Sequence, residues 1–474
     1  MRPAERASGR AGHESSLSVT FGRKGIEAGS KGHREITGWR LAALVFLPFA
    51  LGYFLSYFFR TINGLVSAPL AAEIGLNAAD LGLITAAYFL VLAAAQIPVG
   101  MMLDRYGPRR VQSALLVVAA LGAEAFARST GPLSLLLSRA LIGLGVAAAL
   151  TAGLKAIVLW FPRERVALVN GYMVMLGALG AVSATLPAEA ILAKTGWRGL
   201  FEILAIITAG AAVLIYWLVP EGETKGSPPP AVGGLRSILR DVRFWRIAPL
   251  SGACIGSAWS LQGLWASAWL ADVEGMTRAQ VMTALCLTAL MLSLGAWMLG
   301  ALANWTRRKG LSPEHLLAMV AVLFMAAQLA LVWRLPVPAI APWLIIAIVG
   351  AATVLSFAII SDYYPKELAG RANGALNVVH FGWGFLAQYG IGVLLTQWPQ
   401  SNGHYPVIAY QVAFGVNLAL QAAALIWFAA PREQGPRSSD VQSGSATKIV
   451  MADLVAAPGE RRARSQQPIS QARW

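Results

Sequence analysis

Long apolar runs, separated by short polar breaks rich in glycine, proline or arginine, fill the middle of the chain. They cover approximately 41–67, 79–103, 111–127, 133–160, 166–193 and 199–219, then 247–271, 279–303, 314–333, 338–361, 373–396 and 406–430. Most reach the ~20 residues with which an α-helix crosses a ~30 Å hydrocarbon core. The pattern predicts an all-α membrane protein with twelve transmembrane helices, spans 1 to 12, and both chain ends on one side. The segment 220–245, containing Ser227-Pro228-Pro229-Pro230, separates six spans from six and reads as a linker. The expected organisation is a disordered tail 1–38, a six-helix bundle 39–219, the linker 220–245, a second bundle 246–430 and a disordered tail 431–474.

Composition removes the competing classes. Hydrophobic residues make up 57 %, charged residues 13 %, and the mean hydropathy is +0.59. Soluble domains carry about a quarter charged residues. The net charge of +15 over 474 residues could signal nucleic-acid binding, but its placement points elsewhere. Thirty of the 38 Lys and Arg flank the spans on the side of the chain ends, and five lie on the other side. By the positive-inside rule both termini are cytoplasmic, in a bacterial-type inner membrane. No cleavable signal is expected, because the first apolar block starts at Leu41 and is too long for an h-region. Nucleic acid is therefore not an expected partner; the lipid bilayer is, around a monomer.

The two halves repeat. Gly100-Met-Met-Leu-Asp104-Arg105-Tyr-Gly107-Pro-Arg109-Arg110 follows span 2, and Gly300-Ala-Leu-Ala-Asn304-Trp-Thr-Arg307-Arg308 follows span 8, at an offset of 200. Pro162, Glu164, Asn170 and Gly171 recur as Pro365, Glu367, Asn373 and Gly374, at an offset of 203. Two loops at nearly one offset indicate tandem duplication of a six-helix unit.

The G-x-x-x-D-R-x-G-x-R-R loop resembles the signature of the major facilitator superfamily. Arg139-x-x-x-Gly143-x-Gly145 in span 4 is similar to that superfamily's second motif. The resemblance covers about residues 39–430. It implies two pseudo-symmetric six-helix bundles around a central cavity, spans 1, 4, 7 and 10 lining it, and alternating access. On physical grounds Asp104 lies close to Arg105, Arg109 and Arg110, so Gly100, Asp104, Arg105, Gly107, Arg109 and Arg110 are expected to latch the bundles in the outward-open state. Topogenic charge alone is the plainer alternative.

Charges within spans are expensive and so mark candidate function. Arg60 lies deep in span 1, and Tyr53, Ser56, Arg60, Asn63 and Ser67 recur at helical spacing on one face. Arg60 is the expected anion-binding residue; a buried ion pair is the alternative. Tyr57-Phe58-Phe59-Arg60-Thr61 resembles span 1 of anion–cation symporters and organophosphate antiporters, which implies that the arginine meets the substrate's negative group. The second half has no matching cation; near the equivalent place Gln262 is expected to hydrogen-bond the substrate and Trp265 to pack on its apolar body, with ordinary helix packing as the alternative. The missing cation favours a monoanion over a phosphate ester. In span 11, Asn373, Asn377, His380, Gly384 and Gln388 share a face. Asn377 is assigned to substrate, and His380, Glu189 and Arg139 to proton coupling, with ordinary packing as the alternative for each.

No ATP-binding loop, H-E-x-x-H or G-x-S-x-G motif is present. Met282 and Cys286 are a poor soft-metal set. An enzyme, a cofactor and a metal are therefore not expected. The leading function is secondary transport of a small, carboxylate-like organic anion, coupled to protons as a symporter. A proton-coupled drug exporter and a non-transporting receptor or assembly factor are the alternatives.

Overall fold

The computed structural model describes residues 38–221, 234–401 and 403–430. The expected tails and residues 222–233 of the linker lie outside these described residues. Among the described residues ten helices are long and apolar enough to cross a membrane. One of them, Ala78–Ala127, breaks at Gly107, where φ is 78°, and so supplies both spans 2 and 3. Span 7, residues 242–272, completes the twelve; its helices Val242–Ser260 and Ala266–Asp272 flank a π-turn at Leu261–Trp265. Gly196, at φ 68°, similarly divides Leu186–Leu218 between spans 5 and 6. At both turns a left-handed backbone is needed, which glycine adopts without Cβ strain.

Helices run past the apolar blocks that announce them. Span 1 continues to Ile74, span 8 to Arg308, and span 11 begins at Lys366. Polar ends emerge from the bilayer while the backbone stays helical, so hydropathy marks the membrane crossing and not the helix.

The duplication is visible in local chemistry. Span 2 starts with a reciprocal cap, in which Asn77 Oδ1 accepts from Asp80 N at 3.0 Å and Asp80 Oδ2 from Asn77 N at 3.1 Å. Two hundred residues on, Gln280 Oε1 accepts from Thr277 N at 2.9 Å at the start of span 8. Spans 4 and 10 also break at matching places, between Gly145 and Ala149 and between Gly350 and Thr353.

Small residues let the helices meet closely, as membrane bundles require. A Cβ on Gly145 would stand 2.2 Å from Ala119 N, and one on Gly143 2.9 Å from Tyr88 O. The glycines after Arg139 therefore seat span 4 on spans 2 and 3. Large apolar side chains point outward in numbers unusual for a water-facing surface: Trp217 is 77 % exposed, Ile426 72 % and Trp297 71 %. That belt is the lipid-facing surface of a multi-pass membrane protein.

The halves touch mainly through spans 2 and 11, with spans 5 and 8 and spans 1 and 7 also in contact. The face carrying residues 38 and 430 is called the inner face below. Near the outer face, Gly392 lies so close to Ala78 that a Cβ would stand 2.5 Å from its carbonyl oxygen, and one on Gly82 2.9 Å from Gln388 O. At the inner ends of the same spans, Gly100, Gly370 and Gly374 have open space where a side chain would stand. The outer end of this seam is closed and its inner end is splayed.

Candidate substrate site and gates

Span 1 brings Arg60 to the seam at mid-membrane. Its guanidinium lies 4.0 Å from the Tyr57 ring centroid, one turn earlier, and 4.9 Å from the Trp259 ring of span 7. Among the described residues no ion pair joins Arg60 to an acid. The rings attract the cation by their quadrupoles, and a guanidinium suits a planar anion through two parallel N–H bonds. A cavity of about 30 Å³ adjoins it, lined by Thr61, Thr185, Trp259, Gln262 and Thr288. That volume holds about one or two waters.

The other span 1 residues support this group. The Tyr53 ring packs edge-on against Tyr57 at 5.1 Å, above Gly177 of span 5. Ser56 enters through its backbone: its carbonyl accepts from Tyr88 Oη at 3.1 Å. Asn63 Nδ2 donates to the Arg60 carbonyl at 3.1 Å, which steadies the helix where it breaks at Ile62.

Span 7 divides its candidates. Gln262 shares the Arg60 cavity, with its amide donating to Ile346 O at 3.1 Å. Trp265 is buried and lines a separate cavity of about 270 Å³ nearer the outer face, so the two do not form one site. The turn between them carries them apart. Asn377 bridges the seam to Gln96 at 3.4 Å.

The three coupling candidates are not together. His380 is buried within the second half, 2.7 Å from Ser251 Oγ, edge-on to Trp259 and stacked on Phe357. Trp259 touches both His380 and Arg60. Arg139 is fully buried, stands over Tyr88 at 5.1 Å and donates to the Phe59 carbonyl, while its Nε and Nη1 lack partners. It therefore fixes the backbone immediately before Arg60. Glu189 is at the outer end of span 5, ion-paired to Arg278 of span 8 at 2.5 Å.

The signature loop falls on the inner face. Asp104 is paired with Lys155 of span 4 at 2.6 Å, and Lys155 Nζ also donates to Leu103 O at 2.8 Å. Both partners belong to the first half, in keeping with the splayed inner seam. Arg105 lies over Tyr106, Arg109 Nε donates to Tyr216 O at 2.8 Å, and Arg110 pairs with Glu221 at 2.6 Å. The Arg110 hydrogen bond holds the Glu221 carboxyl below the usual carboxylate range, so the pair is ionised at neutral pH.

Sequence reasoning missed an outer hub. Asp272, at the end of span 7, accepts from Tyr410 Oη at 2.7 Å and Tyr405 N at 3.1 Å, and lies 2.7 Å from His404 Nδ1. Tyr405 Oη in turn accepts from Ala78 N of the first half at 3.2 Å. The available signal was an acid at a span terminus, facing a polar loop.

Two helical bundles, and at their seam a cation with no ion pair among the described residues, are the architecture of a membrane carrier. The chain belongs to the Major Facilitator Superfamily, whose profile matches residues 49–388. It is a transporter family, not one of enzymes. A probable sulfoacetate transporter of Cupriavidus necator is 29 % identical over 178 residues, 37 % of this chain and 41 % of its own. A nitrate/nitrite transporter of a Picosynechococcus species is 29 % identical over 231 residues, 41 % and 43 % of the two chains. A hexuronate transporter of Escherichia coli K12 is 26 % identical over 292 residues, 57 % and 66 %. The matched regions thus span less than two thirds of these relatives' lengths. A bacterial homologue of the human lysosomal transporter Spinster, solved inward-facing and unoccupied, shares the fold. Its TM-score is 0.68 at 18 % identity, over 84 % of this chain and 97 % of that one.

Proposed function

We propose that the protein carries a small, carboxylate-like organic monoanion across a bacterial-type inner membrane, with both chain ends cytoplasmic, as a proton symporter working by alternating access. The observation that carries this reading is the Arg60 guanidinium, stacked between Tyr57 and Trp259 with no acid paired to it among the described residues. A fixed cation in a membrane seam is costly, and an anionic guest offsets that cost. A single arginine matches a single negative group, bound through two parallel N–H bonds. Relatives named for sulfoacetate, nitrate and hexuronate, all anions, support the same class. For the proton, support comes from His380, which contacts the ring that covers Arg60, so that its charge state and the anion's occupancy share a neighbour.

The test is a thermal-shift screen of organic acids, amino acids and neutral sugars on wild type and Arg60→Ala. Stabilising compounds are expected to be anions, and the variant is expected to lose the response. Equal stabilisation of the variant, or stabilisation by sugars alone, refutes the anion assignment. Proton coupling is tested separately in vesicles: an inward proton gradient should drive accumulation, and accumulation indifferent to the gradient refutes symport.

A further inference from the structure

The inner end of the first half holds a cleft of about 140 Å³, well above the roughly 15 Å³ that one water needs. Arg105, Arg109, Arg110, Tyr106, Trp160 and Glu221 line it, beside the Gly107 turn. Three guanidinium groups face one carboxylate, since Glu221 is the only acid among the described lining residues. Glu221 is committed to Arg110 at 2.6 Å and stands 3.8 Å from Arg109. Arg105 has an aromatic neighbour, the Tyr106 ring at 5.3 Å, and no ion pair joins it to an acid among the described lining residues. The described lining residues therefore keep a surplus of about two positive charges.

The surroundings say what kind of anion reaches it. The cleft opens where the lipid-facing belt ends: Trp217 is 77 % exposed, Tyr216 50 %, and Val158 on span 4 63 %. Arg109 stands over the Tyr216 ring at 5.0 Å, so the cation layer begins where the aromatic layer stops. An anionic group held here has acyl-compatible surface directly beside it. A free ion would make no use of that surface.

We propose that this cleft binds the headgroup phosphate of an anionic phospholipid, with the acyl chains lying along the exposed ends of spans 4 and 6. The lipid bridges the signature loop to the ends of spans 4 and 6, and so ties the first half to its own headgroup layer. The assignment is independent of the transported substrate.

The experiment uses the full-length protein in nanodiscs of phosphatidylcholine, with or without phosphatidylglycerol, and native mass spectrometry to count retained lipids. Wild type is expected to retain phosphatidylglycerol in preference to phosphatidylcholine and to melt at a higher temperature in its presence. Arg105→Gln and Arg110→Gln should each lower that preference about fivefold, whereas Arg307→Gln, in the matching loop of the second half, should leave it unchanged. Loss in all three variants alike would show diffuse surface charge and overturn the site. Stabilisation of the detergent-solubilised protein by inorganic phosphate to the same extent would overturn the lipid in favour of a free anion. Should the arginine variants fail to fold, retention by wild type alone decides, and no preference for phosphatidylglycerol overturns the proposal.

Discussion

The guanidinium of Arg278 meets both carboxylate oxygens of Glu189, at 2.5 and 2.7 Å, across the boundary between the two halves. The pair is partly exposed, with side chains 42 % and 25 % accessible, so water screens it. Exposed pairs contribute about 1 kcal/mol or less. That is small for stability and large for a balance between two conformations, where it equals about fivefold in population.

Glu189→Gln is therefore expected to leave the melting temperature nearly unchanged and to raise the outward-open population up to about fivefold. Labelling of a cysteine placed on the outer side of the seam measures this. The charge-reversed double variant Glu189→Arg with Arg278→Glu should restore the wild-type labelling, and labelling that never changes would show that the pair does not gate.

Glycine contacts give a stronger lever. A methyl on Gly392 has to find room 2.5 Å from the Ala78 carbonyl oxygen, which sits on a capped and rigid helix start. Gly392→Ala should cost about 1–3 kcal/mol in the outer-closed state and nothing in a state where spans 2 and 11 part. The expected outcome is a carrier shifted towards outward-open, with inner-face labelling reduced by about fivefold at the low end of that range and more above it. Unchanged labelling on both faces would show that the seam relaxes locally.

Twelve helices were legible because each must be apolar for about 20 residues, and the duplication because two loops kept their spacing. Arg60 was legible because a cation has no ordinary reason to sit inside a span. The residues that answer it across the seam were not. Trp259 is one of four tryptophans in span 7, residues 242–272, and nothing in its spacing says that its ring faces Arg60. The pairing of Glu189 with Arg278 joins residues 89 apart, each reading alone as an end-of-helix charge. Gln262 and Trp265 looked like neighbours on one helix, and the π-turn at Leu261–Trp265 sends them to different cavities.

Trp259 is placed to affect binding through Arg60. Its indole N–H is already satisfied by Gly350 O at 3.0 Å, so its remaining contribution is the ring face. Trp259→Phe, which keeps a ring, should hold anion affinity within about threefold, while Trp259→Ala should weaken it about tenfold as the guanidinium loses an attraction of roughly 1 kcal/mol and its fixed orientation. Isothermal titration with the best anion from the thermal screen separates the two. Equal losses in both variants would mean that Trp259 acts by filling space.

Asp104 is held in this conformation by Lys155, and its side chain is 62 % exposed. Neutralising it should therefore cost little here, about 1 kcal/mol at most. The latch reading places its larger contribution at the other end of the cycle, where the inner ends of the bundles come together and the carboxylate gains partners across the seam. A change that weakens one conformation and not the other alters how fast the carrier returns, while the Arg60 site it presents to the anion stays intact. Asp104→Asn should thus lower the maximal transport rate at least threefold and change the half-saturating concentration less than twofold. Lys155→Gln serves as the control: it removes the partner seen here and should lower the rate less than Asp104→Asn does. Initial-rate uptake in vesicles measures both constants. A rate equal to wild type in Asp104→Asn would reduce the loop to a topological anchor.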